Sequence, residues 1–344
     1  MSATVVSAPG KLFLVGEYAV LDGGTAVVTA VDRRAIGRFV PGAAPASQLV
    51  EEAVRLARAH LTANGGATVA PGAVDIDTSS LAGAGGKLGL GSSAAAAAVA
   101  VGAMLQAGGH DPESELAVSF ALADRAHRDA QGGRGSGADV AAAVYGGIIA
   151  YRRDIEVGPW EGPTPPAMSS RGQSPRSLAR LHAPAGIREL SPLPGVEIVV
   201  FHAGAPHATV DAIRAVEALA ARDRPRYERH ISAISGAADA FLTAWQAGDV
   251  AGVIEAADAA GNALAALGPD ADLPIVTPPF ARAATLAREL GGAAKPSGAG
   301  GGDVGVAFLT GQDAAATFRA RAPHIGVEIL SIRTAARGLG RGTQ

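Results

Sequence analysis

The run from Leu88 to Gly109 contains no charged residue, and no other segment limits the possible folds so sharply. Its length raises the question of a membrane span. It opens Gly-Leu-Gly-Ser-Ser, however, and is then mostly alanine with few large side chains, which predicts a buried helix from about Ser92 to Gln106. Hydrophobic residues make up 48% of the chain and aromatic residues only 4%, so its cores are expected to form through close helix contacts rather than large rings.

A chain of 344 residues has material for two domains with ample cores. The formal net charge of −3 gives no general basic field for nucleic acid or an anionic membrane, so any affinity for anions must be local. The absence of cysteine excludes disulfides, thiolate nucleophiles and Cys-ligated metals, and is compatible with a reducing, cytoplasmic setting. The eight histidines show no metal-ligand spacing. No charged segment followed by an apolar core and a cleavage site opens the chain, so no signal peptide is expected.

Short β-like runs at 4–8, 11–16, 25–31 and 35–40 are separated by turns, with the Gly23-Gly24 pair between the second and third. Helical spacing marks 46–63; 73–79 reads as a strand and 80–91 as a glycine-rich loop. After the 92–106 helix come a helix at 113–130, a break at 132–137, a short helix at 138–146 and a strand at 147–152. Residues 154–194 lose periodicity and are rich in Pro, Ser, Gly and Arg, which marks a long loop or insert with a domain boundary near it. Beyond it a strand at 196–201 precedes helices over 207–221, 226–247, 249–266 and 278–290. Strands at 292–296, 304–309 and 326–333 and a helix at 313–322 complete the chain. Strands and helices without regular βαβ alternation argue for an α+β fold, divided into domains at 1–190 and 191–344.

Only three lysines stand against 26 arginines, and all three lie in or beside glycine-rich segments: APGKLFLVGEYAV (8–20), GGKLGLGSSAAAA (85–97) and AAKPSGAGGGD (293–303). A lysine ammonium is a compact point charge on a flexible stem. Backbone amides of glycine loops bind anions themselves, most of all where a loop opens a helix. The placement predicts three sites where an ammonium approaches an anion, and hence a phosphate-handling enzyme. In GLGSSAAAAAV (89–99), Gly89 and Gly91 permit a tight turn and close approach of a ligand. Ser92 or Ser93 is expected to cap the helix, whose free N–H groups and positive dipole end offer a phosphate site. A serine hydroxyl there can also reach a Mg²⁺ ion held by the phosphates. The pattern is neither a Walker A loop nor a GxGxxG dinucleotide fingerprint.

The PGK of residues 9–11, GLGSSAA of 89–95 and KPSGAGGGD of 295–303 resemble, in order and spacing, the three motifs of the GHMP small-molecule kinase family. GEYAVLDGG (16–24), GSGADVAAAVYGG (135–147) and KPSGAGGGD look like the phosphomevalonate kinase subgroup, whereas mevalonate kinases typically have His in place of Tyr18. AGAPHATVDAI (203–213) resembles a weaker, substrate-side segment of that subgroup. The resemblance implies an N-terminal domain like ribosomal protein S5 domain 2, a ferredoxin-like C-terminal domain, and ATP bound in the cleft between them. It implies phosphoryl transfer from ATP, with Mg²⁺, to 5-phosphomevalonate, giving 5-diphosphomevalonate in the mevalonate route to isoprenoids. The alternatives are mevalonate or another alcohol as acceptor, or an inactive metabolite-binding protein of the same fold. Two small molecules are the expected partners, with no nucleic acid or membrane, and the chain is expected to be a monomer or a homodimer.

Carried over residue by residue, the resemblance implies Lys11, Lys87 and Asp139 as catalytic groups. It implies Gly89, Gly91, Ser92, Ser93 and Ala94 at the nucleotide, with Ser93 also at Mg²⁺. It implies Tyr18, Ser136, Gly137, Ser297, Gly298, Ala299 and Gly300 at the acceptor. Mevalonate kinase relatives ligate Mg²⁺ with a helix Glu upstream of the catalytic Asp; eleven residues before Asp139 stands Arg128, with Asp124 and Asp129 nearby. Arg134 is a candidate for further charge near the acceptor, and His127 and His207 for its lining. A phosphate monoester has a second pKa of about 6 and is largely dianionic at pH 7. It needs little help from a base, unlike an alcohol. Bringing two polyanions together calls instead for cations and Mg²⁺.

Overall fold

The computed structural model describes residues 5–83, 86–153, 186–204 and 209–342. The four predicted runs at the start form two long strands, β1 (Val6–Val15) and β2 (Thr25–Pro41). Irregularities in their pairing between Pro9 and Lys11 and between Phe13 and Val15 let β1 pass through its proline and glycine without ending. Helix α1 (Gln48–Ala63) starts at Ser47, whose hydroxyl accepts the Val50 N–H. Strand β3 (Gly72–Asp77) pairs with β2, and the short β4 (Ala82–Gly83) and β5 (Gly86–Lys87) pair with each other.

Helix α2 (Ser92–Ala107) is buried from Ala94 to Leu105 apart from Ala96. It packs against α1, α3 (Leu116–Ala130), α4 (Ala138–Tyr145), β1 and β2. A helix with no polar face is thereby covered on all sides, and its alanines allow the close approach. Strand β6 (Ile148–Arg152) pairs with β2 and with β7 (Ile187–Leu190). β7 lies inside the stretch read from sequence as an insert; residues 154–185 of that stretch lie outside the described residues. Its sequence, Ile-Arg-Glu-Leu, is too short to display a period, and its pairing with β6 makes it a strand.

The second sheet holds β8 (Val196–His202), β9 (Ala293–Pro296), β10 (Val304–Thr310) and β11 (Glu328–Ile329) in the order β11-β8-β10-β9, all neighbours antiparallel. Counted by its own strands this is 4-1-3-2, a ferredoxin-like order. Between β8 and β9 run α5 (Thr209–Arg222), α6 (Arg224–Ala247), α7 (Val250–Asp270) and α8 (Pro278–Glu289), and α9 (Gly311–Arg321) comes after β10. Phe201, Phe280 and Phe318 seal the α8 and α9 side of the sheet, while Phe241, Trp245 and Phe308 join the core of the first sheet. The expected start of α5 at 207, and His207 itself, lie outside the described residues. The strand expected over 326–333 shrinks to the two residues of β11.

The chain leaves the first sheet after β7 and enters the second at β8. Its last described segment returns: β12 (Gly340–Arg341) pairs with β1, and bridges join Thr334 to Val31 and Arg337 to Gly146. The Arg34 guanidinium holds this segment by donating to the Arg337 and Gly338 carbonyls. Helix α7 is long and apolar enough to cross a membrane, and here it packs on α6 and β9.

Candidate active site

A cavity of about 560 Å³ opens where the two sheets' elements meet. Lys11, Phe13, Glu17 and Tyr18 reach it from β1 and the turn after it, and Lys87, Gly89, Gly91, Ser92 and Ser93 from the second motif. Gln131, Ser136 and Asp139 line it from the α3–α4 region, Thr209 and Ile213 from α5, and Ser297, Gly298, Ala299 and Asp303 from the loop between β9 and β10.

Gly91, at a left-handed φ of 77°, is the residue that caps α2, and among the described residues no side chain bonds the first turn as a cap. Ser92 and Ser93 are already helical; the expectation that one of them caps is corrected. Gly91 makes the turn that puts both serines inside the helix. The first-turn N–H groups stay available at the positive end of the dipole. The Ser93 hydroxyl lies 3.0 Å from His127 Nε2, and Gln131 Nε2 is 3.1 Å from the same ring nitrogen.

Lys11 is almost fully buried. Its ammonium donates to the Gly89 carbonyl at 3.0 Å and its backbone N–H to Leu90 O at 2.8 Å, which ties β1 to the loop. Its stem lies on Gly91: a Cβ there would fall 3.0 Å from Lys11 Cγ and 3.1 Å from Cε. Burial lowers the Lys11 pKa, against the opposing pull of the carboxylates of Asp139, Asp303 and Glu17. Asp303 presses on the loop so closely that a Cβ on Gly89 would fall 2.5 Å from its Oδ2. Sequence reading left Asp303, Glu17 and Gln131 out of the site. The signal for the first was an acid ending the third glycine motif, and for the second the acid of GEYAV.

Asp139 sits in the first turn of α4 behind Gly137, which has a φ of 83°. One carboxylate oxygen accepts the Val140 N–H at 3.0 Å, and the other is 3.8 Å from His127 Nε2. The Tyr151 hydroxyl donates to the Ser136 carbonyl at 2.7 Å, which sets the turn before α4. Arg128 forms an ion pair with buried Asp124, and Arg125 with Asp129. Burial holds the Asp124 pKa up, with Arg128 opposing it. Both acids near the missing helix Glu are thus engaged by arginines. Arg134 pairs with Glu217 of α5 and is not part of the cavity wall.

Lys295 overturns the expectation of three ammonium–phosphate sites. It is 1% exposed, forms a buried ion pair with Glu17 and donates to the Pro296 carbonyl at 2.7 Å. Its anion is a carboxylate of the first unit. The neighbouring groups are engaged in the same way. Ser297 Oγ accepts the Phe13 N–H at 2.8 Å, the Tyr18 hydroxyl donates to Ala299 O at 2.7 Å, and the Gly298 N–H donates to Glu17 Oε1 at 3.4 Å. Tyr18 takes a φ of 62°, rare for an aromatic residue, to make its bond. Ala94, Gly137 and Gly300 are buried and not on the cavity wall; a Cβ on Gly300 would fall 2.5 Å from Ile275 O.

The model of the GHMP kinases N terminal domain matches residues 48–147, and that of the GHMP kinases C terminal domain matches residues 242–326. Together they span more than half of the chain. The chain belongs to the GHMP kinase family. A phosphomevalonate kinase of Streptomyces sp. (strain CL190) is 29% identical, with 88% of each chain covered. The crystal structure of the Lin0012 protein from Listeria innocua matches at 25% identity and a TM-score of 0.83 over 99% of both chains. Streptococcus pneumoniae phosphomevalonate kinase, in complex with phosphomevalonate and AMPPNP, matches at 20% identity and a TM-score of 0.79, covering 96% of this chain and 99% of that one. Mevalonate kinase of L. major shares 18% identity with a TM-score of 0.62, covering 98% of this chain and 96% of that one. These last two likenesses are of fold. The two-domain GHMP kinase fold brings all three motifs of this family member to one cavity, with unlike roles.

Among the described residues no three His, Asp or Glu side chains group as a metal site. Mg²⁺ is satisfied by one or two carboxylates with phosphate oxygens and waters. The hard oxygen donors of Ser93, Asp139 and Asp303 line the same cavity and suit that mode.

Proposed function

We propose that this GHMP kinase family member transfers the γ-phosphoryl group of ATP to the phosphate of 5-phosphomevalonate, yielding 5-diphosphomevalonate and ADP. The observation that carries the reading is the meeting, in one cavity, of a helix N-terminus capped by a glycine, with no side-chain cap among the described residues, and the ammonium groups of Lys11 and Lys87. The first-turn amides of α2, with Gly89, Gly91, Ser92 and Ser93, bind the ATP phosphates. Lys87, exposed on its ribbon, adds a mobile charge to them. Lys11, fixed by Gly89 O and Gly91, stands at the transferred phosphoryl and offsets the repulsion between donor and acceptor. Asp139 orients the acceptor and Lys11 and is not needed to take a proton. Tyr18, Ser136 and Gly298 form the acceptor wall. Mg²⁺ bound with ATP supplies charge neutralisation at the phosphate oxygens; Ser93, Asp139 and Asp303 would hold it.

The phosphomevalonate kinase relative supports the choice of acceptor. The same reading makes the protein a cytoplasmic enzyme of the mevalonate pathway acting on two small molecules. It divides the chain into domains at 1–190 and 191–344, with the returning tail added to the first. The test is ADP release with mevalonate, 5-phosphomevalonate and 5-diphosphomevalonate as acceptors. We expect kcat/KM for 5-phosphomevalonate to exceed that for mevalonate by well over about tenfold, because cations built for a phosphate stay unpaired without it. Equal use of both acceptors removes the phosphate-acceptor assignment.

A further inference from the structure

We infer that Lys295 is a positioning residue: by holding the Glu17 carboxylate, it keeps the Lys11 ammonium free for phosphate. The inference rests on the role proposed above for Lys11.

Two lysines and one glutamate meet where the units join. Glu17 is 2% exposed and also borders the cavity. One of its oxygens takes the Lys295 ammonium and the Gly298 N–H, and the other has no hydrogen-bond partner among the described residues. Lys11 stands on the other side of the same glycine: a Cβ on Gly298 would fall 3.7 Å from Lys11 Nζ. Glu17 is therefore close enough to act on the Lys11 charge, as Asp139 and Asp303 do.

A buried carboxylate without a counter-ion is strongly unfavourable and takes the nearest cation within reach. Lys295 is wholly buried and cannot serve a ligand, so its charge is committed to Glu17. Among the described residues the Lys11 ammonium has the neutral Gly89 carbonyl as its hydrogen-bond partner, an interaction a phosphate can displace. Without the Lys295 charge, the Lys11 ammonium can leave the Gly89 carbonyl for the Glu17 oxygen that has no partner among the described residues. The ammonium would then sit in an ion pair instead of at the phosphoryl group. One lysine of the third motif thus governs the availability of the lysine of the first.

The experiment compares wild type, Lys295→Gln, Glu17→Gln and the Lys295→Gln/Glu17→Gln double variant, all checked by thermal melts. Lys295→Gln keeps a donor for Glu17 while removing the charge. With only three lysines in the chain, acylation by an amine-specific reagent can be followed at Lys11 by mass spectrometry, with exposed Lys87 as internal reference. Only the unprotonated amine reacts. In Lys295→Gln we expect Lys11 labelling to fall at least about threefold and kcat to fall toward the roughly hundredfold to thousandfold expected for losing one charge-stabilising donor. The double variant should recover both, and Glu17→Gln alone should not slow labelling. Wild-type labelling in folded Lys295→Gln, or a double variant as slow as the single one, overturns the inference. Labelling needs no acceptor, so a wrong acceptor assignment would leave this readout standing.

Discussion

The second and third glycine motifs are alike on paper, each a lysine followed by a run of glycine with serine, yet they do opposite things with their polar groups. The loop at 89–91 runs into α2, and a helix start leaves N–H groups with no partner inside the helix. Those groups face the cavity. The loop at 297–303 joins two strands, β9 and β10; Lys295 of β9 is bonded to Glu17, and the loop's Ser297 hydroxyl, Gly298 amide and Ala299 carbonyl are bonded to Phe13, Glu17 and Tyr18. A glycine loop is an anion site when it opens an element that leaves amides unused. Otherwise it is a clasp.

The largest effect expected from this contrast is at Lys11. Lys11→Ala should lower kcat by about 3–4 kcal/mol, roughly a hundredfold to a thousandfold, at saturating substrates. Lys11→Arg should also be impaired, because the wider guanidinium cannot occupy the slot against Gly91. Asp139→Asn should be milder than Lys11→Ala, since the acceptor phosphate needs no base. A reversed order would make Asp139 a base or an indispensable orienting group.

Paired glycine substitutions sharpen the contrast. Gly91→Val should weaken ATP binding by about 1.5–3 kcal/mol, the worth of a hydrogen bond to a charged group, read as nucleotide Kd by titration. Gly300→Val should spare Kd relative to Gly91→Val and lower the melting temperature, because its side chain would meet the Ile275 backbone at a φ of 79°. Equal loss of nucleotide affinity in both would erase the distinction between site and clasp.

The smallest effects separate the serines. Ser297→Ala removes the acceptor of the buried Phe13 N–H and should cost about 1–3 kcal/mol of unfolding free energy. Ser93→Ala should leave stability within about 1 kcal/mol and act on kcat or on the Mg²⁺ dependence of the rate. Denaturant melts and steady-state rates at graded Mg²⁺ read both; a stable Ser297→Ala protein would deny Ser297 its part in the clasp.

What was legible in the sequence is what neighbouring residues decide among themselves. The uncharged alanine run had to be a buried helix starting near Ser92, although the cap fell on Gly91 and not on either serine. The order of strands and helices came from short-range spacing, and the α+β class with it. The role of each lysine was not local. Lys295 meets a glutamate 278 positions away, Tyr18 a carbonyl 281 away, and β12 a strand at the opposite end of the chain. β7 is a strand because β6 offers it an edge. Asp303 enters the site because its loop folds onto Gly89. Backbone conformation is set largely by chemistry within a few residues, and so the sequence by itself determined where glycine loops and helix starts would fall. Whether a charged or polar group ends beside a ligand or beside another protein group depends on which loops are brought face to face, and only the tertiary structure decided that.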